Sequence, residues 1–301
     1  MNDDYIILSM TTIPSRESIF EQALNSILRQ SYRFDKLVIN IDDEELFEKY
    51  KKYESYDYRI ELNFCDKKWK SCNKLIPTLQ KYPKSVIITV DDDLEYPKDC
   101  VKKLIEKHKI FPNYIISQEN FPIFVDKETK RISYGCFFDV KLEQAQYGKY
   151  LSNCCLYPPH TFEGTNIFNY DAMVDVTLGI DDEMWFWINS ALKGIKSISL
   201  NYVFSLQANE IKNNSKKLCT FNLNPKIYNT QIDKLNSIYG ERLYNIVTSD
   251  LPEFFINNDN AYLHCACYGY FKKIYTYGYK VTYSDDVTAK YKEILKSIYA
   301  S

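Results

Sequence analysis

One almost continuously apolar run constrains the fold of this chain more than any other feature. Residues 85–90, SVIITV, lead directly into three consecutive acids, Asp91, Asp92 and Asp93. A run without regular polar alternation is typical of a strand buried on both faces, and such strands occur in parallel sheets covered by helices on each side. The run therefore predicts an α/β protein in which this strand is central and its end carries the acids.

The rest of the first half follows the pattern that such a sheet requires. Apolar or alternating runs predict strands at residues 5–10, 37–41, 59–64, 114–116 and 132–134. Between them, apolar residues at the helical period predict a helix capped by Ser15, a short helix at 74–79 and a helix that starts at Pro97. A further helix is predicted from Asp181 to about Lys193, with Gly194 ending it. Strands alternating with helices predict a mainly parallel sheet with helices on both faces.

The second half gives weaker signals. Residues 135–170 show little periodicity and read as a long irregular stretch of the kind that carries binding loops. Beyond residue 208 the chain is rich in Asn, Lys and Tyr, with helices predicted at 227–239 and 288–299. We expect a domain at 1–208 and a helical extension at 209–301. The extension could complete an acceptor site, form a homodimer contact or rest peripherally on a membrane, and its pattern does not choose among these.

Composition excludes several classes of protein. Lys and Arg number 38 against 40 for Asp and Glu, a net charge of -2, which gives no electrostatic reason to expect nucleic-acid binding. Nine scattered cysteines without a Cys-x-x-Cys pair indicate neither a disulfide framework nor a structural zinc site. The chain shows no apolar run near the roughly 20 residues that span a bilayer, and its start does not resemble a signal peptide. A globular cytoplasmic protein is expected.

The acidic run at residues 91–93 is the first candidate for chemistry. Ligands of open parallel sheets bind outside the carboxyl ends of the strands. If the extended geometry continues, Asp91 and Asp93 share one face about 6–7 Å apart. Two such carboxylates suit Mg²⁺ or Mn²⁺, which take oxygen ligands and leave positions for phosphates. The alternative is a solvated turn before the helix at Pro97, with one acid as its cap.

A second acidic group, Asp181-Asp182-Glu183, opens the helix that contains Trp185 and Trp187. Acids at this position stabilise a helix as caps and by complementing its dipole. A carboxylate buried beside apolar rings could instead act as a general base, because burial raises its pKa toward the working pH. The residues alone leave both interpretations open.

Other polar residues also follow predicted strands. Thr11, Thr12 and Arg16 lie in the loop after the first strand, where hydroxyls and a guanidinium could contact a nucleotide. Asp42 ends the second strand and could accept hydrogen bonds from a base or ribose, although a solvated turn explains it nearly as well. Lys74 could neutralise a phosphate or be an ordinary surface lysine. The chain has neither a Gly-x-Gly-x-x-Gly nor a Walker sequence, which argues against dinucleotide-binding and P-loop sites.

Five segments in order resemble the GT-A glycosyltransferases, and specifically a family-2-like group from bacterial surface-polysaccharide synthesis. They are SMTTIPSR (9–16), NKLIP (73–77), ITVDDD (88–93), LYPPH (156–160) and DDEMWFW (181–187). The resemblance spans about residues 5–200. It implies the Rossmann-like GT-A fold and a nucleotide-diphosphate sugar donor, with a UDP-sugar expected. It also implies a hydroxyl acceptor on a glycan or lipid-linked glycan, reached at the inner face of the cytoplasmic membrane.

The resemblance also assigns roles to the acids. Asp91 and Asp93 match the Asp-x-Asp motif that holds the metal, Mn²⁺ or Mg²⁺, and Asp92 lies with them at the donor. Asp181 and Asp182 match an acidic pair whose second member is the base of inverting members, which makes Asp182 the expected base of this hexosyltransferase. The chain lacks the Gln-x-x-Arg-Trp element of processive members, so a single sugar addition is expected.

Two alternatives remain from the residues themselves. A nucleotidyltransferase would also use acids to hold Mg²⁺, but a glycine-rich phosphate loop after the first strand is missing. A non-catalytic carbohydrate-binding module could use the 27 tyrosines and 17 phenylalanines as stacking surfaces. Most of those rings are explained more simply as packing.

Overall fold

The computed structural model describes residues 5–118, 120–121, 123–126, 128–134, 147–200, 209–211 and 225–249. The strands are β1 (Ile6–Thr12), β2 (Lys36–Ile41), β3 (Ile60–Phe64), β4 (Val86–Val90), β5 (Leu94–Glu95), β6 (Ile115–Ser117), β7 (Asn120–Phe121), β8 (Ile123–Asp126), β9 (Arg131–Tyr134), β10 (Lys149–Tyr150), β11 (Cys154–Tyr157), β12 (Ser197–Ser199) and β13 (Asn209–Glu210). The helices are α1 (Glu17–Leu28), α2 (Glu44–Tyr50), α3 (Lys52–Tyr56), α4 (Ile76–Lys81), α5 (Cys100–Ile110), α6 (Tyr170–Thr177), α7 (Asp182–Leu192) and α8 (Pro225–Val247). Two 3₁₀ segments, Pro14–Arg16 and Lys67–Lys74, precede α1 and α4.

A seven-stranded sheet forms the centre of the fold, in the order β12-β6-β11-β4-β1-β2-β3. Strands β4, β1, β2 and β3 are parallel, and β6 pairs in parallel with β12. Strand β11 runs antiparallel to both of its neighbours, β4 and β6. The expected mixed α/β fold, with a mostly parallel central sheet and helices on both faces, is confirmed.

The apolar core lies on both sides of this sheet because alternate strand residues point to opposite faces. Val86, Ile88 and Val90 of β4 pack in the cluster that includes α1 and α5. Ile87 packs on the opposite face, in the cluster that includes α4, α6, α7 and α8. All five residues of β4 are buried, as its almost continuously apolar sequence predicts.

On the sheet face covered by α4, α6, α7 and α8, several strand positions near the carboxyl ends are polar instead of apolar. Asn40 of β2 donates through Nδ2 to Ser9 Oγ (3.2 Å) and Thr78 Oγ1 (3.0 Å). Asn63 donates to Asn40 Oδ1 (2.8 Å), and Ser9 Oγ donates to the carbonyl oxygen of Lys74 (2.6 Å). Buried polar groups are tolerated when they are hydrogen-bonded in this way. The network therefore fixes the backbone of Lys74 against the sheet.

Several boundaries differ from the sequence prediction. Ser15 does not cap α1, because the 3₁₀ segment Pro14–Arg16 comes first and Arg16 occupies the cap position without a side-chain bond. Pro97 lies three residues before the first residue of α5. Pro77 lies in the first turn of α4, where its missing N–H has no helical partner to lose. Sequence periodicity did not predict β11, because a strand of four residues is too short to show a pattern.

Helix α8 packs against the same apolar cluster as α7. Its buried residues include Ile232, Leu235 and Leu243. It covers and extends the helix predicted at 227–239, whereas the helix predicted at 288–299 lies outside the described residues. Within the described part of the chain, every helix falls short of the length or apolar character needed to cross a membrane.

Asn236 of α8 holds the edge of the β8–β9 hairpin. Its side-chain amide accepts from the Ile132 N–H (2.7 Å) and donates to the Ile132 carbonyl oxygen (2.7 Å). Ile132 is fully buried, so water cannot easily replace either bond.

We expect Asn236→Ala to lower the free energy of unfolding by about 1–3 kcal/mol, because both backbone groups of Ile132 lose their partner. Urea denaturation measures the change. The control is Ser237→Ala on the same helix, which removes only an exposed bond to the Lys234 carbonyl and is expected to stay within about 0.5 kcal/mol. Equal effects of the two substitutions would contradict the role of Asn236.

Candidate functional site

A buried ammonium group lies at the centre of the candidate site. Lys74 Nζ is 2.7 Å from Asp91 Oδ1 and 3.3 Å from Asp182 Oδ2. Burial acts to lower the pKa of Lys74, but the two carboxylates outweigh it and hold that pKa well above its ordinary value. The lysine is therefore charged, and it joins three segments that lie far apart in the sequence: the 3₁₀ segment before α4, the end of β4 and the first turn of α7.

Asp182 is the most buried carboxylate that contacts Lys74, with 7% of its side chain exposed. Burial acts to raise its pKa, but Lys74 and a hydrogen bond from Ser71 outweigh this and lower the pKa below its ordinary value. The expectation that apolar rings raise this pKa is wrong in direction. The indoles of Trp185 and Trp187 instead anchor α7 in the core, through bonds to the carbonyl oxygens of residues 167 and 147.

The other two acids of this group have different partners. Asp181 caps α7 by accepting from the Met184 N–H (2.8 Å), and the Tyr134 hydroxyl donates to its Oδ2 (3.2 Å). Lys149 Nζ lies 3.5 Å from Asp181 and 3.3 Å from Glu183. Burial is the largest cause of a raised pKa at Glu183, and the neighbouring carboxylates add to it. Both Lys149 and Tyr134 were missed from the sequence, since they lie in short elements without a motif.

Ser152 was also missed, although it contacts the centre of the site. It is fully buried in the loop between β10 and β11. Lys74 Nζ donates to its Oγ (3.3 Å), and its Oγ donates to Asp182 Oδ2 (3.2 Å). The residue lies in the irregular stretch 135–170, where periodicity gave no signal.

The acidic triad lies in a turn between β4 and β5 and does not continue the strand. The expectation that Asp91 and Asp93 share one face of extended backbone is therefore wrong. Asp91 faces Lys74, whereas Asp93 Oδ2 is 2.8 Å from Arg16 Nη1. The turn is not simply solvated either, because these two side chains are only 25% and 20% exposed.

Asp92 is the buried member of the triad and lies near Thr12 and Arg16. Burial raises its pKa to about 7, and the nearby Asp93 acts in the same direction. The Thr12 hydroxyl and Arg16 partly offset the increase. Asp92 is thus more deeply buried than Asp91 and Asp93.

The remaining predicted residues lie along the carboxyl ends of β1 and β2. Thr11 Oγ1 donates to the carbonyl oxygen of Asn40 (3.0 Å). Asp42 accepts from Asn73 Nδ2 (3.3 Å), and burial is the main cause of its raised pKa. These contacts place Asp42 beside the residue that precedes Lys74. The predicted residues after β1, β2 and β4 therefore share one edge of the sheet with Asp182.

The chemistry of these side chains fits a hard divalent cation. Asp91 and Asp93 offer carboxylate oxygens, the donors that Mg²⁺ and Mn²⁺ prefer. Among the residues whose placement is described, no three His, Cys, Asp or Glu side chains converge as a metal-binding group. A cation held here would therefore need phosphate or water oxygens in addition to the two carboxylates.

The raised pKa of Asp92 makes a prediction for stability against pH. The pKa of the Asp92 carboxyl is higher in the folded protein than in the unfolded chain. Its contribution to stability is therefore fully present below the pKa of the unfolded chain and is lost as pH rises through about 7. We expect Asp92→Asn to gain stability relative to wild type between about pH 4 and 7. The gain should reach a few kcal/mol, since a tenfold change in proton affinity is about 1.4 kcal/mol.

Urea denaturation at a series of pH values measures this difference. Asp175→Asn, at an exposed aspartate of α6, controls for the substitution itself. A difference between wild type and Asp92→Asn that stays constant over the range would contradict the prediction.

Comparisons with known proteins add to this geometry. The family model described as Glycosyl transferase family 2 matches residues 11–171, which include the acidic triad, Lys74 and Ser152. Similar solved structures include residues 1–349 of S. aureus TarS in complex with UDP-GlcNAc, with 12% identity, coverage of 79% of this chain and 70% of that chain, and a TM-score of 0.51. The same TarS fragment in complex with UDP matches with 10% identity, 82% and 75% coverage, and a TM-score of 0.43. The search of curated proteins gave no match. Because the family model covers more than half of its length, this chain belongs to glycosyl transferase family 2.

Proposed function

We propose that this glycosyltransferase moves a sugar from a nucleotide-diphosphate sugar, a UDP-sugar, to a hydroxyl of a glycan or lipid-linked glycan in bacterial surface-polysaccharide synthesis. The observation that carries the proposal is the meeting of Asp91 and Asp182 at one buried ammonium, at the ligand-binding edge of the sheet. One group belongs to the turn that would face the donor and the other to the helix that would face the acceptor. The UDP-GlcNAc bound to TarS supports UDP as the nucleotide to test.

On the donor side, the diphosphate must approach a surface that already holds the Asp91 and Asp93 carboxylates. Among the described residues, Lys74 contacts Asp91 and Arg16 contacts Asp93, so each cation offsets the charge of one aspartate. When bound, a divalent cation would be held by these two aspartates and would supply positive charge to the diphosphate as it leaves. Lys74 and Arg16 then remain close enough to the turn to bind phosphate oxygens.

On the acceptor side, Asp182 is the proposed base. Its lowered pKa keeps the carboxylate ionised at neutral pH, so it is ready to accept a proton from the attacking hydroxyl. That hydroxyl becomes more acidic as its oxygen bonds to the anomeric carbon, which compensates for the low basicity of the carboxylate. If the activated hydroxyl attacks the anomeric carbon directly as the diphosphate leaves, the anomeric configuration is inverted, and this is the outcome we propose.

Two other functions fit less well. A nucleotidyltransferase and a non-catalytic carbohydrate-binding module both agree with parts of the sequence. Membership in a glycosyltransferase family favours sugar transfer over both. The ionised, buried Asp182 also has no evident use in a module that only binds.

The donor assignment predicts that Mn²⁺ tightens UDP binding to the wild type and that Asp93→Asn removes this effect. A loss of more than about tenfold in affinity, equivalent to 1.4 kcal/mol, is expected with Mn²⁺ present. Calorimetry with UDP, with and without MnCl₂, makes the measurement. Asp99→Asn, at the cap position of α5, is the control and should respond to Mn²⁺ as the wild type does. Wild-type UDP binding that is indifferent to Mn²⁺ would overturn the metal assignment.

The base assignment predicts that Asp182→Asn keeps UDP affinity but loses turnover. Removing a general base reduces kcat by roughly 10²–10⁴-fold. A screen of nucleotide sugars for hydrolysis or transfer identifies the donor, and kcat is then compared between variants. Asp175→Asn serves as the control because it lies on the exposed face of α6. Full activity of Asp182→Asn would show that another group accepts the proton.

A further inference from the structure

We propose that Ser152 is a positioning residue that orients the Asp182 carboxylate for proton transfer. The inference rests on the proposed role of Asp182 as base. Ser152 has no exposed surface, so its hydroxyl acts on substrates only through its neighbours. Its hydroxyl lies between the two groups at the centre of the site, Lys74 and Asp182.

The direction of these hydrogen bonds follows from the chemistry of the three groups. An ammonium can only donate, an ionised carboxylate can only accept, and a serine hydroxyl has one hydrogen to give. Lys74 must therefore donate to the Ser152 oxygen, and the single hydroxyl hydrogen must point to Asp182 Oδ2. The serine thus adds a directed bond to the charged form of the base.

The backbone of Ser152 is fixed from two independent elements. Its N–H donates to Glu183 Oε1 (3.1 Å), on the helix that also carries Asp182. Its carbonyl oxygen accepts from Thr89 Oγ1 (2.6 Å), on the strand that leads to the acidic turn. The loop is therefore tied both to the start of α7 and to the end of β4. A hydroxyl placed by these two bonds has little freedom to move away from Asp182.

The loss of this bond has a specific kinetic signature. Without it, the Asp182 carboxylate can rotate and is less well stabilised in its charged form. We expect Ser152→Ala to lower kcat about tenfold, to leave the KM for the nucleotide sugar within about twofold, and to move the acid limb of the pH profile of kcat to higher pH. Ser152→Thr retains the hydroxyl and is expected to recover most of the loss.

Ser190→Ala is the matched control. Ser190 is also buried and hydrogen-bonded, to the Trp187 carbonyl oxygen and the Tyr150 hydroxyl. It lies eight residues beyond Asp182 on α7, about 12 Å along the helix axis. The Ser190→Ala substitution should leave both kcat and the pH profile of kcat as in the wild type. If Ser152 only filled space, Ser152→Ala would behave like this control. That outcome would overturn the proposal.

A measurement without turnover separates this proposal from the proposed function. The lowered pKa of Asp182 means that its charge stabilises the fold above its unfolded pKa and that this stability is lost as pH falls through the folded pKa. The difference in unfolding free energy between wild type and Asp182→Asn therefore reports this titration. In a Ser152→Ala background, the loss should occur at higher pH. An unmoved titration would overturn the role of Ser152 while leaving Asp182 as base, whereas a fully active Asp182→Asn would overturn both.

Discussion

The centre of the candidate site depends on the buried ammonium of Lys74. Asp91, Asp182 and the neighbouring acids lie in a region with little water, where unpaired carboxylates would be costly. The Lys74 ammonium, in contact with both Asp91 and Asp182, makes their approach favourable. Removing one partner of such a buried group is usually more damaging than the pair is stabilising, because the remaining charge stays buried. The polar network of Ser9, Asn40 and Thr78 therefore stabilises the site as well as the fold, because it fixes the backbone of Lys74.

Sequence reasoning found the sheet because burial of β4 leaves a direct mark on composition. It also found both acidic groups, because acids that directly follow an apolar strand or open a helix are visible in a single segment. Lys74 was recognised as a candidate, but its partners were not, since they come from segments 17 and 108 positions away. Roles that arise within one segment could be predicted, and roles that arise between segments could not.

The electrostatic predictions failed for the same reason. The pKa of Asp182 was expected to rise from the local presence of tryptophans, yet Lys74 and Ser71 decide its direction. Glu183, one position later, does show the raised pKa. The pKa values of adjacent carboxylates on one helix turn thus shift in opposite directions: Lys74 and Ser71 outweigh burial at Asp182, whereas burial and the neighbouring carboxylates outweigh Lys149 at Glu183. The extended geometry expected for Asp91 and Asp93 failed similarly: the chain turns after Val90, and the Asp91 N–H donates to the Tyr96 hydroxyl, five residues along the chain (2.8 Å).

The antiparallel direction of β11 decides which loop reaches the candidate site. Because β11 runs against its neighbours, the loop that enters it, rather than the loop that leaves it, reaches the carboxyl edge of β4. Ser152 and Asn153 arrive there by that route, while the residues from β1, β2 and β4 arrive by loops that leave parallel strands. Changes in the length of the segment before β11 would therefore reshape one wall of the site without altering the register of the parallel half. The bonds of Ser152 to Lys74 and Asp182 set the limit to such changes, because they join this wall to the parallel half of the sheet and to α7.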